Sequence, residues 1–112
     1  AGDVFRSFQK RFADHKLSSR ALLLGGQSYI KAKLYDKAIA ALENLVNTYL
    51  DDKDVRPEAM YWLADSYMKV TNNTSAYTTF KKLTWDYPES KWAKMARSRL
   101  VEDVFRTMAE KM

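Results

Sequence analysis

A segment of this 112-residue chain is repeated 38 positions further on, and this internal repeat constrains the fold more than any other feature. Aligning Tyr29 with Tyr67 also aligns Gly26 with Ala64, Ala38 with Ala76, Leu42 with Phe80, Leu45 with Leu83, and Tyr49 with Tyr87. Within each copy the apolar residues recur every three or four positions, as on one face of an α-helix. Each copy therefore predicts a pair of helices. Because one helical pair cannot bury its outer apolar face alone, repeated pairs predict a stacked, all-α solenoid.

The small residues of the repeat lie where the two helices of a pair are expected to approach each other. Gly26 and Ala38 in the first copy, and Ala64 and Ala76 in the second, leave room for large side chains on the facing helix. Ridges of Leu and Phe side chains then fit into the grooves beside them. We therefore predict that these positions form the core between paired helices.

Helical spacing of apolar residues continues outside the two copies, and turn-forming residues divide the chain into about six helices. We predict one domain over residues 1–112. Residues 1–17 are expected to be the second helix of a preceding repeat, residues 19–52 and 57–90 two repeats, and residues 91–112 a terminal helix. On this division the chain is expected to be part of a longer array.

Residue types that favour helix starts stand between the predicted helices. Asp36, Asn73 and Ser90 are expected N-caps, because a short polar side chain there accepts a hydrogen bond from a free backbone N–H. Pro57 is expected in the first turn of a helix, where its missing N–H costs nothing. These positions set the expected helix boundaries.

The combination of small, aromatic and apolar residues resembles the tetratricopeptide repeat family. The matching elements are Gly26, Tyr29, Ala38 and Leu42, then Ala64, Tyr67, Ala76 and Phe80, with Pro88 closing the second unit. The usual unit is shorter, at about 34 residues, and the acidic stretch 51–54 is the expected place of the additional ones. The resemblance implies a right-handed α-solenoid of antiparallel helix pairs that acts as a protein-interaction scaffold.

Three fragments are similar to a bacterial subgroup of these repeats. They read YDKAIAALENLVNTY, AMYWLADSYMK and YPESKWAKMARSRL. The subgroup includes the periplasmic Tol–Pal-associated cell-division coordinator and the lipoprotein of the outer-membrane barrel-assembly machine. This similarity implies a bacterial protein of the periplasm or cell envelope. An export or lipoprotein signal is then expected upstream of Ala1.

The composition argues against catalysis and against cofactors or metal ions. The chain has no Cys and a single His, His15, with no Ser or carboxylate at a spacing that proposes a catalytic triad. Asp51, Asp52 and Asp54 resemble part of a calcium loop, but the glycine and the terminal Glu of that motif are missing. We expect a protein that is not an enzyme.

The net charge of +5 comes from the two ends of the chain and not from its centre. Residues 1–20 and 91–112 each carry a net +3, whereas residues 21–90 carry −1. Lys81-Lys82 is the only basic doublet of the centre, and a solvated helix face explains it. Since nucleic-acid readers usually cluster basic and aromatic residues on one face, we expect no nucleic-acid partner. No apolar run approaches the ~18 residues of a membrane span, so no direct membrane insertion is expected.

The remaining function is recognition of a protein or peptide partner on the concave side, which the first helix of each unit lines. The expected contact residues are Leu23, Gln27, Ile30, Tyr61, Asp65 and Met68, with Trp62 at the groove edge or against the preceding repeat. Tyr61 and Met68 are expected to be exposed, with Asp65 between them. Apolar anchors and one carboxylate suit a peptide that carries a basic group.

Two alternatives stay open at this point. The groove side chains are buried instead if further repeats pack against them. A structural function is also possible, in which open ends of the solenoid stack end to end and form homo-oligomers.

Overall fold

A computed structural model describes residues 18–101, and all regular structure in this range is helical. The helices are α1 (residues 18–31), α2 (Tyr35–Thr48), α3 (Arg56–Lys69), α4 (Asn73–Asp86) and α5 (Lys91–Leu100). The predicted all-α class is therefore confirmed. The predicted helix of residues 1–17 and the last part of the predicted terminal helix, residues 102–112, lie outside the described residues.

The sequence repeat is also a repeat of structure. Helices α1 and α3 end at positions that the repeat aligns with each other, and α2 and α4 both begin and end at aligned positions. Helix α3 packs against both α2 and α4, and α4 packs against α5. From α2 onward, each helix thus lies against its neighbours along the chain, as in a helical-repeat solenoid.

The turns inside the two helix pairs have the same backbone geometry. The N–H of Leu34 donates to the carbonyl of Tyr29, and the N–H of Asn72 donates to the carbonyl of Tyr67, both at 2.8 Å. This hydrogen bond is the one that defines a Schellman motif, in which the residue before the donor adopts a left-handed conformation. Those residues are Lys33 and Thr71, with φ of 62° and 60°.

Small residues set the distance between the paired helices, as predicted. Ala38, Ala64 and Ala76 have no exposed surface. A Cβ atom added to Gly26 would lie 2.7 Å from Cγ of Leu42, which is closer than packed carbon atoms approach. The large residues of the repeat fill the space beside them, and Leu42, Leu45, Phe80 and Leu83 are fully buried.

The expected start signals are confirmed at two helices. Ser90 is the N-cap of α5, and its hydroxyl accepts from the N–H of Ala93 at 3.0 Å. Pro57 lies in the first turn of α3. Both residues occupy the positions that their chemistry favours.

The other two expected N-caps are wrong. Asn72, and not Asn73, caps α4 by accepting from the N–H of Ser75. Helix α2 begins at Tyr35 with Leu34 as its N-cap, so Asp36 lies inside the first turn. The Schellman turn places Leu34 so that its carbonyl already accepts from Ala38, at 3.0 Å. Helix α2 has no capping side chain, and Asp36 lies in its first turn, where a negative charge is favourable near the helix N-terminus.

Candidate partner-binding site

An open cavity of about 210 Å³ lies between α1 and α3. Its lining consists of Gln27, Ile30 and Lys31 from α1 and Trp62 from α3. Three of these four residues, all except Lys31, are among the predicted contact residues. The cavity combines an apolar wall with an amide and an ammonium group.

Glu58 holds two of the side chains that line this cavity. Its Oε2 accepts from Nε2 of Gln27 at 2.9 Å and from Nε1 of Trp62 at 3.2 Å. The Gln27 amide nitrogen is thus used inside the protein, and its carbonyl oxygen remains able to accept a hydrogen bond. Glu58 was not predicted as a site residue. Its position four residues before Trp62 places both side chains on one helix face, and this spacing is a signal that could have identified it.

One aromatic ring from α5 and one from α3 pack near Trp62. The Trp92 ring lies 6.1 Å from the Trp62 ring, centroid to centroid, and 5.6 Å from the Tyr61 ring. Tyr61 meets Trp62 edge to face at 5.3 Å. Because aromatic rings packed in this way restrict one another, the indole wall of the cavity is held in place before any ligand arrives.

The structure corrects the expected exposure of two site residues. Leu23 is 7% exposed and Tyr61 is 6% exposed, and both belong to the buried core. The Tyr61 ring packs against Phe80 of α4 at 5.6 Å as well as against Trp92 of α5. It therefore fills the space where three helices meet, and it is not an exposed anchor. Leu23 is likewise a packing residue of α1.

The expected basic group beside Asp65 comes from the chain itself. Arg99 of α5 donates to Oδ1 of Asp65 at 3.1 Å, to Oη of Tyr61 at 3.0 Å and to Sδ of Met68 at 3.0 Å. Partial burial alone lowers the pKa of the guanidinium, but the hydrogen bonds and charges of Tyr61 and Asp65 outweigh it, so the net pKa lies above the ordinary value. Arg99 therefore stays charged and occupies this part of the predicted groove.

Arg99 and Lys31 were not predicted as residues of this region. Lys31 follows Ile30 at the end of α1, and nothing in its local sequence separates it from other surface lysines. Arg99 lies 34 residues after Asp65, so only the packing of α5 on α3 brings the two together. The predicted residues thus divide into an open part, a part already in contact with Arg99, and the buried Leu23. The open part is Gln27, Ile30 and Trp62, and the part in contact with Arg99 is Tyr61, Asp65 and Met68.

Within residues 18–101 we find no group of three or more His, Cys, Asp or Glu side chains that could hold a metal ion. In the same range, none of the helices combines the length and the apolar character that crossing a membrane requires. Neither finding changes the description of the site between α1 and α3.

The stacked helix pairs and the cavity between their first helices define a helical-repeat domain. Comparison with protein families identifies which one: the tetratricopeptide repeat family matches residues 20–49 and again residues 58–90. The two matches cover more than half of the chain, which therefore belongs to this family. Tetratricopeptide repeats generally mediate protein–protein interactions. No curated protein matches the chain in sequence.

Proposed function

We propose that this domain is a scaffold without catalytic activity that binds a segment of a partner protein at the cavity between α1 and α3. The observation that carries the proposal is the cavity itself, with the Trp62 ring held by a hydrogen bond to Glu58 and by packing against Trp92. A preorganised aromatic wall loses little conformational freedom on binding, which favours affinity.

The side chains of the cavity indicate the chemistry of the partner segment. Ile30 and the Trp62 ring suit one apolar side chain, and the ammonium group of Lys31 suits an acidic group next to it. A basic group is less suitable than the sequence alone indicated, because Asp65 is already paired with Arg99. We therefore propose an apolar residue followed or preceded by Asp or Glu as the recognised feature.

Peptide selection from a random display library, with the full chain as bait, tests this proposal. We expect enriched peptides to contain an apolar residue next to Asp or Glu. Trp62→Ala should weaken their binding by more than about 1 kcal/mol, as loss of an aromatic anchor commonly does. Lys31→Glu should shift the selection away from acidic peptides.

Asn47→Ala is the matched control, since Asn47 is exposed on α2 and does not line the cavity. Melting curves of all variants show whether each one folds. Failure to enrich any peptide, or equal binding by folded Trp62→Ala and the parent, would contradict the proposal.

We infer from the similarity of three fragments to bacterial envelope repeats that the protein works in the periplasm or cell envelope of a bacterium. The supporting residues are those of the fragments in 35–49, 59–69 and 87–100. The gene product that contains this chain should then carry an export or lipoprotein signal upstream of Ala1. A gene product with a plain cytosolic start would overturn the inference and leave the repeat fold unaffected.

End-to-end self-association is the second candidate function. The sequence motivates it, because Phe5, Phe8 and Phe12 near one end and Val104, Phe105 and Met108 near the other recur at helical spacing; these residues lie outside the described range. Apolar side chains at both ends suit a stacked homo-oligomer. Sedimentation velocity over a concentration series distinguishes the candidates, because a stacking chain gains mass with concentration and a monomeric scaffold does not.

A further inference from the structure

Trp85 on α4 is the most exposed large apolar side chain of residues 18–101, with 87% of its surface accessible. Lys81 and Lys82 are exposed on the same helix, four and three positions before it. This spacing puts the two ammonium groups and the indole on one side of α4. We call Lys81, Lys82 and Trp85 the α4 patch.

The repeat shows that the second helix of a unit does not require the combination of residues found in the α4 patch. The positions of α2 that the repeat aligns with the patch hold Glu43, Asn44 and Asn47. The core residues Ala76, Phe80 and Leu83 lie on the other side of α4. An indole fully exposed to water is unfavourable compared with one placed in an apolar or interfacial environment. The patch therefore has the composition of a contact surface and not of a packing surface.

The charges near the patch are favourable for an anionic partner. Asp86 follows Trp85, but its carboxylate is paired with Nη1 of Arg56 at 3.3 Å. The acidic neighbour is thus paired with a cation of the same chain, whereas Lys81 and Lys82 remain exposed. The patch presents two positive charges beside one aromatic ring.

We propose that the α4 patch docks the domain on the surface of a bilayer that contains anionic phospholipid. Tryptophan favours the headgroup level of a bilayer, where its ring is shielded and its N–H stays hydrated. Lysines next to it are attracted by the negative surface potential. The surface of a bilayer needs no complementary groove, and α4 offers a single outward helix face.

Two other classes of partner fit the patch less well. A stable protein interface has an apolar core. The structure describes the whole of α4, and Trp85 is the only large apolar residue exposed on this helix. Nucleic-acid readers that use stacking place several aromatic rings along a basic groove, and the patch has one ring. The patch also lies on a different helix from the cavity between α1 and α3, so this inference does not rest on the proposed function.

Co-sedimentation of the full chain with vesicles tests the proposal. The vesicles are phosphatidylcholine alone, or phosphatidylcholine with phosphatidylglycerol in equal parts. We expect weak binding to the anionic vesicles only, and a decrease of that binding as salt screens the charges. Trp85→Ala should reduce the partition coefficient severalfold. Lys81→Glu and Lys82→Glu should each reduce it by about fivefold or more, the ratio that corresponds to about 1 kcal/mol per basic residue at such a surface.

The matched controls are Asn44→Glu and Asn47→Ala, the equivalent positions of α2, which should leave vesicle binding unchanged. Tryptophan fluorescence should shift to shorter wavelength with anionic vesicles in the parent and not in Trp85→Phe. Equal binding to both kinds of vesicle, or binding that the α4 variants do not change, would overturn the proposal. The proposal would also be overturned if the chain bound no vesicles but bound single-stranded RNA or polyglutamate through the patch. The patch would then be assigned to a nucleic acid or to an acidic protein.

Discussion

At the scale of single residues, the repeated turn places Thr71 in a left-handed backbone conformation. Threonine is an unfavourable residue for this conformation. A Cβ atom at positive φ crowds the following carbonyl and costs about 1–2 kcal/mol, and a β-branched side chain is especially unsuitable. Lys33 occupies the same position of the first turn with φ 62°. Glycine is the residue that most Schellman motifs place there.

We therefore expect Thr71→Gly to increase the free energy of unfolding by about 0.5–1 kcal/mol, after allowing for the greater flexibility of glycine in the unfolded chain. Urea unfolding measures the change. Thr78→Gly, the same substitution at an exposed position inside α4, should instead lower the stability. A decrease in both variants would show that the turn gains nothing from glycine.

Tyr67 supplies a residue-scale prediction about pH. Its hydroxyl donates to Oε1 of Glu43. Burial first, and then this hydrogen bond and the negative charge of Glu43, raise the pKa of the Tyr67 phenol above its ordinary value near 10. The unfolded chain then releases this proton at lower pH than the folded chain does, so the phenol's contribution to stability is lost as pH rises above about 10.

Tyr67→Phe should accordingly lose less stability than the parent between about pH 9 and pH 11, because it has no phenol to ionise on unfolding. Denaturant midpoints at several pH values measure this. Glu43→Gln should give an intermediate result, since burial remains but the neighbouring negative charge is gone. Identical alkaline slopes in parent and Tyr67→Phe would contradict the assignment.

At the scale of helices, Arg56 joins three of them. It is only 5% exposed at the start of α3. Its Nε donates to the carbonyl of Val46 near the end of α2 at 3.0 Å. Its Nη1 donates to Oδ2 of Asp86 at 3.3 Å and to Oη of Tyr87 at 3.2 Å, where α4 ends. The guanidinium thus links the first helix pair to the second.

Arg56→Ala should lower the free energy of unfolding by about 2–3 kcal/mol, because the Val46 carbonyl loses its partner and the Asp86 charge is left unpaired. The loss stays below that of a fully buried pair because the Asp86 side chain is 31% exposed. Arg97→Ala is the control, since Arg97 is exposed on α5 and bonds only the Pro88 carbonyl among the described contacts. Equal effects of the two substitutions on the denaturant midpoint would argue against the linking role.

The packing of α4 gives a second prediction at this scale. Ala76 has no exposed surface, so Ala76→Leu should overpack the second helix pair and cost about 1–3 kcal/mol. Ala40→Leu adds the same side chain at an exposed position of α2 and should change the melting temperature little. An unchanged melting temperature in Ala76→Leu would mean that the register of the repeat is wrong.

At the scale of the whole molecule, the fold could be predicted because the repeat specifies it locally. Small residues at Gly26, Ala38 and their copies allow only close helix pairs, and the spacing of Leu42 and Phe80 gives the buried face. The N-caps of α2 and α4 differ from the predicted ones because Schellman turns fix where the next helix begins. These turns have Lys33 and Thr71 at the position that glycine usually takes, so the sequence gives no sign of them.

The site could be predicted only in part, because helix periodicity gives the face of a residue and not its neighbour across space. Gln27, Ile30 and Trp62 line a cavity as the pattern indicated. Tyr61 was assigned to the same surface, but α4 and α5 close over it. The burial of Arg56 and the contacts of Arg99 depend on residues far away in the sequence, which local pattern cannot supply.

The agreement of helix boundaries between the two copies of the repeat has a consequence for how such a chain can evolve. The α2–α3 contact and the α4–α5 contact both join the second helix of one unit to the first helix of the next. A duplication of one unit in frame, from a point in α1 to the corresponding point in α3, would recreate the same kind of junction on both sides of the new copy. The array can therefore lengthen without any change at the existing interfaces. Each added unit would bring a further junction between first helices, and its own side chains would decide whether that junction is open, as between α1 and α3, or filled, as Arg99 fills the one between α3 and α5.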